Sequence, residues 1–354
     1  MVRTAVVGCG RISDLHALGY RGVEGTRIVA VCDTRQGRAR AKAKAWGVDK
    51  VYAAYEDLLA DPDVDLVELL VPHHLHAEMT IAACAAGKHV SVQKPMALSV
   101  AEAEAMIAAA GRAGVVLRVY ENFVFYPPCV RAKEMIDAGE IGEPQMIRVH
   151  FYTGSRSASW KVPLSAWIWR FDERRSGGGP MVFDHGHHHF ALARHLLGEV
   201  ERVYAWIDRT PVLPTKYVDA PATIMFQFKS PRRYGTLDIC HASQMRIESD
   251  YYADGNHVEV IGDRGILLIN RWTTRTVDLP PLMMFRDGKT AAMPVERVDW
   301  SDSFVDCTRH LVGVLRQGGE PMLDGPTGRE VLRFSLAAQR SARTGLEVRP
   351  DDVT

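Results

Sequence analysis

The chain has 354 residues, with 43 basic and 43 acidic side chains, so its formal net charge at pH 7 is zero. This length exceeds what one ordinary hydrophobic core serves, and it predicts two domains. The balanced charge argues against a nucleic-acid-binding protein or one drawn to an anionic membrane, because no overall field would attract either partner. A small-molecule partner is expected instead.

The six cysteines lie far apart and form no C-x-x-C pair. Such spacing is typical of buried thiols in a reducing compartment. The sequence enters a strand-like run at once, without the charged and apolar segments of a signal peptide, and no apolar stretch reaches membrane-spanning length. We therefore expect a soluble cytoplasmic protein.

Residues 2–120 alternate short apolar runs with alanine-rich helical patterns, an order that predicts βαβ units and a parallel sheet covered on both faces. The predicted strands are Val2–Val7, Ile28–Cys32, Leu66–Val71, His89–Val92 and Val115–Val119. We place a domain boundary after residue 120. Residues 1–120 are expected to form one α/β domain and residues 121–354 another.

Beyond residue 121 the apolar pattern changes to the alternation of half-buried antiparallel strands. In 223–228, for example, Ile224, Phe226 and Phe228 point to one face. The segment 257–270 reads as two strands joined by a tight turn at Gly262-Asp263-Arg264-Gly265. Two helical patterns close the chain, one through Phe304, Thr308, Leu311 and Leu315, the other through Val331, Phe334 and Ala338 before Gly345.

The segment Gly8-Cys9-Gly10-Arg11-Ile12-Ser13 lies where the first strand ends and a helix begins. Gly8 suits a tight turn, Gly10 lets the backbone approach a pyrophosphate, and the helix N-terminus then holds the phosphates. Ser13 replaces the third glycine of this fingerprint. A glycine turn without a ligand is the alternative.

Asp33 ends the second predicted strand, twenty residues after Ser13. An acidic side chain at this place hydrogen-bonds the adenosine ribose diol of a dinucleotide, so the two motifs together predict a Rossmann domain. Asp33 favours NAD because it repels a 2′-phosphate. Arg35 or Arg11 is able to accommodate that phosphate, so NADP stays open.

Motifs along nearly the whole chain resemble the glucose-fructose oxidoreductase, inositol dehydrogenase and MocA family. They are Val7-Gly8-Cys9-Gly10-Arg11-Ile12, the run 71–78, Ala86-Gly87-Lys88-His89-Val90, Gln93-Lys94-Pro95, and Gly177-Gly178-Gly179 leading to Asp184-x-Gly186-x-His188. The resemblance implies an N-terminal Rossmann domain and a C-terminal α/β domain on a large, mostly antiparallel sheet. It also implies a homo-oligomer, dimer or tetramer, formed through that sheet, and redox chemistry on sugars, cyclitols or related polyols.

The same resemblance implies a set of cofactor contacts. They are Gly8, Gly10, Arg11, Ile12, Asp33, Pro72, His76, Gln93 and Lys94. The family usually reads Glu-Lys-Pro where this chain has Gln93-Lys94-Pro95. The replacement removes a carboxylate beside the cofactor and puts any charge role at position 93 in doubt.

Lys94 follows an apolar run, at the carboxyl end of a predicted parallel strand, where open α/β sheets bind ligands. A lysine there hydrogen-bonds a substrate oxygen and stabilises developing alkoxide charge. The alternative is an exposed lysine at a loop end.

The run 181–197 is a helical pattern stopped by Gly198, with one face formed by Asp184, His188, Leu192, His195 and Leu196. A histidine on such a face is often a hydrogen-bonded core residue. The resemblance instead assigns catalysis to His188, with Asp184 as its acidic companion.

Neighbouring histidines raise the question of a metal, since imidazoles on one helix can share an ion. The set is His185, His187, His188 and His189. Only His185 and His189 have four-residue spacing, so we expect no metal.

Aromatic residues precede the glycine run in a polar segment that reads as a loop, where they are placed to stack on sugar rings. They are Trp160, Trp167 and Trp169, followed by Arg170. Tyr126 is a similar candidate. The alternative for these residues is packing in the core or at a subunit interface. The predicted substrate contacts are Lys94, Tyr126, Trp169, Arg170, Asp184 and His188.

These predictions describe a dehydrogenase that oxidises a secondary hydroxyl of a sugar, glycoside or cyclitol, with Lys94 and His188 flanking the reacting carbon. Two alternatives remain. One is an NAD-dependent glycoside hydrolase or lyase that oxidises its substrate only transiently, and the other is a non-catalytic NAD-binding regulatory protein.

Overall fold

The computed structural model describes residues 1–156 and 163–354, which form two compact units. The first unit comprises Met1–Asn122, the described part of Val162–Gly177, and Phe304–Leu332. The second comprises the remaining described residues. The expected boundary after residue 120 lies close to the end of the first segment, but two later stretches also belong to the first unit.

The first unit contains a six-stranded parallel sheet with the strand order β3-β2-β1-β4-β5-β6. Its strands are β1 Val2–Val7, β2 Thr26–Cys32, β3 Lys50–Tyr52, β4 Leu66–Leu69, β5 His89–Gln93 and β6 Leu117–Tyr120. The predicted parallel sheet is confirmed. Only β3 was missed, because three half-buried residues at a sheet edge leave no apolar run to detect.

The second unit contains an eight-stranded sheet with the order β16-β15-β14-β13-β7-β12-β11-β8, and a separate pair of strands, β9 and β10. The strands are β7 Pro144–Arg156, β8 Val200–Ile207, β9 Thr210–Leu213, β10 Lys216–Val218, β11 Ala222–Phe228, β12 Tyr234–Ile247, β13 Asp254–Gly262, β14 Gly265–Ile269, β15 Leu282–Arg286 and β16 Lys289–Ala292. Within the large sheet only the β7–β12 pair is parallel, so the predicted mostly antiparallel sheet is confirmed.

Eleven α-helices occur in the described residues. They are α1 Ser13–Gly22, α2 Gln36–Trp46, α3 Tyr55–Leu59, α4 His76–Ala85, α5 Val100–Ala113, α6 Pro127–Asp137, α7 Leu164–Trp167, α8 Glu173–Ser176, α9 His187–Leu197, α10 Asp302–Gln317 and α11 Gly325–Thr344. The two predicted closing helices are therefore confirmed as α10 and α11. Leu311 of α10 packs against Val2, Tyr20 and Leu66, which completes the core of the first unit.

Burial follows the predicted patterns in both units. In β11, Ile224, Phe226 and Phe228 are buried while Met225 between them is exposed, as the alternation predicts. The hairpin of β13 and β14 turns at the predicted residues. Cys240 is an exception, because it is exposed on β12 whereas the other five cysteines are buried.

Two local predictions were wrong. The segment 181–197, predicted as one α-helix, begins instead with a π-helical turn over Pro180–His185, and α9 follows it. The Gly186 N–H accordingly donates to the Met181 carbonyl, five residues back. The polar segment predicted as a loop contains α7 and a 3₁₀ turn over Ile168–Phe171.

Among the described residues, no helix combines the length and apolar character that crossing a bilayer requires.

Candidate cofactor and catalytic sites

The glycine loop between β1 and α1 has the geometry that phosphate binding needs. Gly8 has a φ of +96°, and a side chain there would place its Cβ 2.3 Å from the Leu70 carbonyl oxygen, so only glycine fits. A Cβ at Gly10 would meet no atom within 4 Å, which leaves open space beside the backbone. Ser13 is buried and donates to the Gly10 carbonyl at 2.6 Å, which ties the loop to the start of α1.

Asp33 lies directly after β2 and is joined to this loop. One carboxylate oxygen accepts the Cys9 N–H at 2.8 Å, and the other accepts the Arg35 N–H at 2.7 Å. The two predicted elements of the dinucleotide site are thus connected within the first unit. Each carboxylate oxygen retains a lone pair for a ribose hydroxyl.

Two neighbouring residues were predicted to contact the cofactor. Arg11 is half-buried, and its guanidinium forms an ion pair with Asp14 at 2.9 Å. Ile12 is half-buried at the start of α1. Both therefore lie on the glycine loop, where the resemblance places them.

The ends of β4 and β5 bring the other predicted cofactor residues together. Pro72 precedes the 3₁₀ turn His73–Leu75. His76 is buried, with Nδ1 2.8 Å from the Pro95 carbonyl and Nε2 3.0 Å from the Val71 carbonyl. These contacts connect the segment after β4 with the segment after β5. They favour a role for His76 in holding these two segments together, rather than in contacting a cofactor directly. Lys94 is half-buried immediately after β5.

Trp169 and Arg170 belong to the first unit. The Arg170 guanidinium lies 4.5 Å from the centre of the Trp169 ring and 5.4 Å from that of Trp167. The Trp169 ring also meets His73 edge to face at 4.8 Å. These residues remain candidates for sugar stacking. Trp160 lies outside the described residues.

In the second unit, a buried carboxylate fixes the segment that carries Asp184 and His188. Asp219 accepts the Met181 N–H at 2.6 Å and the Val182 N–H at 2.7 Å, one on each carboxylate oxygen. Burial raises the pKa of Asp219 to about 6, against the opposing effect of these hydrogen bonds. A Cβ at Gly179 would lie 1.9 Å from the Asp219 Cγ, so the close approach requires glycine there.

His188 lies in the first turn of α9 and is 8% exposed. Its ring stacks on Phe123, with ring centres 4.2 Å apart and planes 6° apart. Asp184 is 5% exposed on the preceding π turn. The ring plane of the candidate base is therefore held by packing, and its acidic companion belongs to a segment fixed by Asp219.

Tyr126 occupies a packing position in the second unit. It is fully buried, its hydroxyl donates to the Val298 carbonyl at 3.1 Å, and its ring lies 5.3 Å from that of Trp272. The alternative of core packing fits this placement, and the predicted contact of Tyr126 with substrate does not.

The other histidines of this region have separate partners. His185 Nε2 lies 3.4 Å from the Asp254 carboxylate, and burial raises the pKa of Asp254 to about 7. His189 hydrogen-bonds Asn256. His195 lines a different cavity of about 630 Å³, and burial lowers its pKa to about 4. Within residues 1–156 and 163–354, no three His, Cys, Asp or Glu side chains cluster to hold a metal.

The sequence patterns did not reveal Asp219 or Asp254. Asp219 lies in the loop between β10 and β11, and Asp254 begins β13. Both carboxylates contact residues that are distant in sequence, and no local sequence motif indicates such contacts. The only sequence signal was the run Gly177-Gly178-Gly179. Such a run indicates that another group approaches the backbone closely, but it does not show which residue does so.

The parallel sheet, the glycine loop and Asp33 define a nicotinamide-dinucleotide-binding oxidoreductase. Comparison with known proteins agrees. Residues 2–121 match the model of an oxidoreductase family with an NAD-binding Rossmann fold, and residues 129–268 match the GFO/IDH/MocA C-terminal domain.

Several relatives match almost end to end. A D-apiose dehydrogenase of Paraburkholderia graminis is 32% identical, over 97% of this chain and 88% of its own. A myo-inositol 2-dehydrogenase of Thermotoga maritima is 28% identical, over 99% of each chain. An NAD-binding oxidoreductase from Klebsiella pneumoniae has a solved structure that superposes with a TM-score of 0.82, at 26% identity and 98% coverage of each chain. The chain belongs to the GFO/IDH/MocA family of NAD-binding oxidoreductases.

Proposed function

We propose that this protein is an NAD-dependent dehydrogenase that oxidises a secondary hydroxyl of a sugar, glycoside or cyclitol. The observation that carries the proposal is the connection of the glycine loop to Asp33 in a member of an NAD-binding oxidoreductase family. The substrate class is supported by relatives named for D-apiose and myo-inositol. A neutral overall charge also suits an uncharged polyol.

The proposed cofactor site fits the residues present in the first unit. The pyrophosphate would lie against Gly10 and the start of α1, where a Cβ has open space, and Asp33 would accept from the ribose. Arg11, Ile12, Pro72 and Gln93 complete the proposed site. Asp33 favours NAD over NADP. We assign cofactor binding to residues 1–120, and substrate binding and oligomerisation to residues 121–354.

A bound nicotinamide would supply the hydride acceptor for the carbon that carries the hydroxyl. His188 takes the hydroxyl proton as that carbon's C–H bond breaks and the C=O bond forms. Lys94 donates a hydrogen bond to the same oxygen and stabilises its developing negative charge. Asp184 supports the imidazole, and the proton then passes to solvent. Trp169 and Arg170 are proposed to hold the sugar.

A homo-oligomer through the large sheet is part of the proposal. One face of this sheet carries Tyr204, Trp206, Met225 and Tyr234, with Trp206 57% exposed and Tyr234 49% exposed. Exposed aromatic clusters of this kind mark interaction surfaces. Sedimentation should show a dimer or tetramer, and Trp206→Arg should dissociate it. A wild-type monomer would contradict this part of the proposal.

We also propose a cytoplasmic location. All six cysteines are free thiols, which suits a reducing compartment.

The function is tested by incubating the enzyme with a panel of monosaccharides, disaccharides and cyclitols, with NAD or NADP, and measuring reduced nicotinamide by absorbance. We expect reduced nicotinamide and a ketone to accumulate in equal amounts with at least one substrate. Cleavage of a glycoside without net reduction would indicate the hydrolase or lyase instead. Tight NAD binding without turnover across the panel would indicate a regulatory protein.

A further inference from the structure

A chain of hydrogen bonds, partly buried at Gln93 and fully buried at His16, connects α1, the helix that follows the glycine loop, to the residue before Lys94. Gln93 ends β5, and its side-chain oxygen accepts the Lys94 backbone N–H at 2.8 Å. The Gln93 Nε2 lies 2.9 Å from Nε2 of His16 on α1. The other His16 nitrogen, Nδ1, lies 2.8 Å from the carboxylate of Glu68 on β4.

The donors and acceptors of these three hydrogen bonds follow from the chemistry of each group. The Lys94 N–H only donates, so the Gln93 oxygen must face it and the Gln93 NH₂ group must face His16. An amide NH₂ only donates, and therefore His16 Nε2 accepts and carries no proton. The single proton of a neutral His16 then lies on Nδ1 and is donated to Glu68.

The surroundings of His16 agree with a neutral ring. His16 and Glu68 are fully buried, and burial lowers the pKa of His16. Burial alone would raise the pKa of Glu68, but the hydrogen bond with His16, the charge that His16 carries when protonated, and the charge of Arg118, 4.0 Å away, lower it below its ordinary value. Glu68 and Arg118 thus compensate each other's charge. An uncompensated charge on His16 would be costly at this depth.

The titratable and charged groups packed around His16 come from four elements. They are Tyr20 on α1, Glu68 on β4, Arg118 and Tyr120 on β6, and Cys307 on α10. Tyr20 donates its hydroxyl proton to Glu68, and burial raises the pKa of both tyrosines well above the ordinary value. Arg118 is therefore the one cation among these groups.

We propose that Gln93 and His16 are positioning residues for Lys94, and that this arrangement requires an amide at position 93 and a neutral His16 protonated on Nδ1. The inference rests on the proposed role of Lys94 in the reaction. It gives a function to the replacement of the family's usual glutamate. A carboxylate at position 93 only accepts, so it would face the Nε2 lone pair unless His16 took up a second proton.

The proton assignment is tested on the wild-type enzyme by NMR, after labelling histidine with ¹⁵N and assigning the His16 signals by comparison with His16→Gln. We expect Nδ1 to be protonated and Nε2 unprotonated at neutral pH and above. Protonation on Nε2 in this range overturns the proposal. This measurement needs neither a substrate nor a variant at position 93.

The functional consequence is tested with Gln93→Leu and Gln93→Glu, with Gln145→Glu as a control that adds the same charge at an exposed position. Gln93→Leu should lower kcat by about tenfold to a hundredfold, because the Lys94 backbone loses its acceptor. Gln93→Glu should lower kcat less near neutral pH, where His16 takes up the second proton. It should then lose activity at alkaline pH as His16 releases that proton.

Neither the wild type nor Gln145→Glu should show this alkaline loss. A wild-type pH profile in Gln93→Glu, or wild-type turnover in Gln93→Leu, overturns the proposal. Lys94→Ala separates the proposed role of Lys94 from the positioning role of Gln93 and His16. If Lys94→Ala keeps full turnover, the proposed role of Lys94 fails and the positioning role fails with it, whereas a protonated Nε2 in the wild type overturns the positioning role alone.

Discussion

The two units each contain a functional segment that begins with a helical turn, but the backbone N–H groups at the two starts have different partners. At the start of α1 no side chain caps the helix, and the space beside Gly10 is open. At the start of the π turn, the buried carboxylate of Asp219 accepts two backbone N–H groups. We propose that the first start, the open start, receives the phosphates of the cofactor, whereas the second, the closed start, already binds a carboxylate of the protein.

This difference fits the proposed use of each start. An N-terminus without a side-chain cap keeps its positive dipole end for a ligand phosphate. An N-terminus satisfied by the protein is a rigid platform, and the residues after it hold their positions without a ligand. His188 and Asp184 lie on the second kind of start, which suits groups that must be placed before substrate binds.

The largest effect is expected from the residue on the closed start. His188→Ala removes the proposed base and should lower kcat by about a hundredfold to ten-thousandfold, with NAD affinity unchanged. In the wild type, the oxidation rate should rise with pH as the imidazole loses its proton. Steady-state kinetics and calorimetric NAD titration measure both quantities. His150→Ala, exposed on β7, is the control, and wild-type turnover in His188→Ala would place the base elsewhere.

The closed start itself is tested by Asp219→Ala. This change leaves two buried N–H groups without an acceptor and should lower the free energy of unfolding by about 2 to 4 kcal/mol. Denaturant unfolding measures it, with Asp208→Ala as an exposed control of the same chemistry. Equal stabilities of the two variants would show that Asp219 does not hold the π turn.

Asp219 should also give stability a specific dependence on pH. Its pKa is raised to about 6 by burial, above the ordinary value of 3.8, so the folded chain holds this proton more tightly than the unfolded chain does. The resulting stabilisation is fully present below pH 4 and is lost as pH rises through 6, by about 3 kcal/mol. Asp219→Asn should remove this part of the pH dependence, and an unchanged pH profile of unfolding would contradict it.

A smaller effect is expected for Asp33, which is bonded to the glycine loop before α1. Asp33→Ser should weaken NAD binding by about tenfold while changing NADP binding less, because the serine no longer pairs with the ribose diol or repels a 2′-phosphate. Titration with both cofactors measures the preference, and Asp49→Ser is an exposed control. Equal losses for NAD and NADP would argue against contact with the ribose.

Local periodicity and turn chemistry carry most of what could be predicted. The apolar runs around Val6, Val67 and Val90 predicted the parallel strands. The alternation of apolar residues at Ile224 and Phe226 predicted β11 and its buried face. These signals are local because a strand's own side chains decide which face is buried.

What was missed depends on partners distant in sequence. Asp219 reaches Met181 across 38 residues, and Gln93 reaches His16 across 77. The π turn at Pro180–His185 was predicted as α-helix because, over only one or two turns, apolar residues have the same spacing in a π turn as in an α-helix. Tyr126 was assigned to substrate because sequence alone does not show that its hydroxyl is already bonded inside the second unit.

The contrast between an open and a closed helix start is tested most directly by Gly10→Val. Because a Cβ at Gly10 meets no protein atom within 4 Å, the variant should fold with an unchanged melting temperature, as should the control Gly37→Val, whose added Cβ is equally free. The valine would, however, occupy the space proposed for the pyrophosphate. We expect NAD binding, measured by calorimetry, to weaken by roughly a hundredfold in Gly10→Val alone, about 2.7 kcal/mol. Wild-type NAD affinity in a folded Gly10→Val protein would contradict the account.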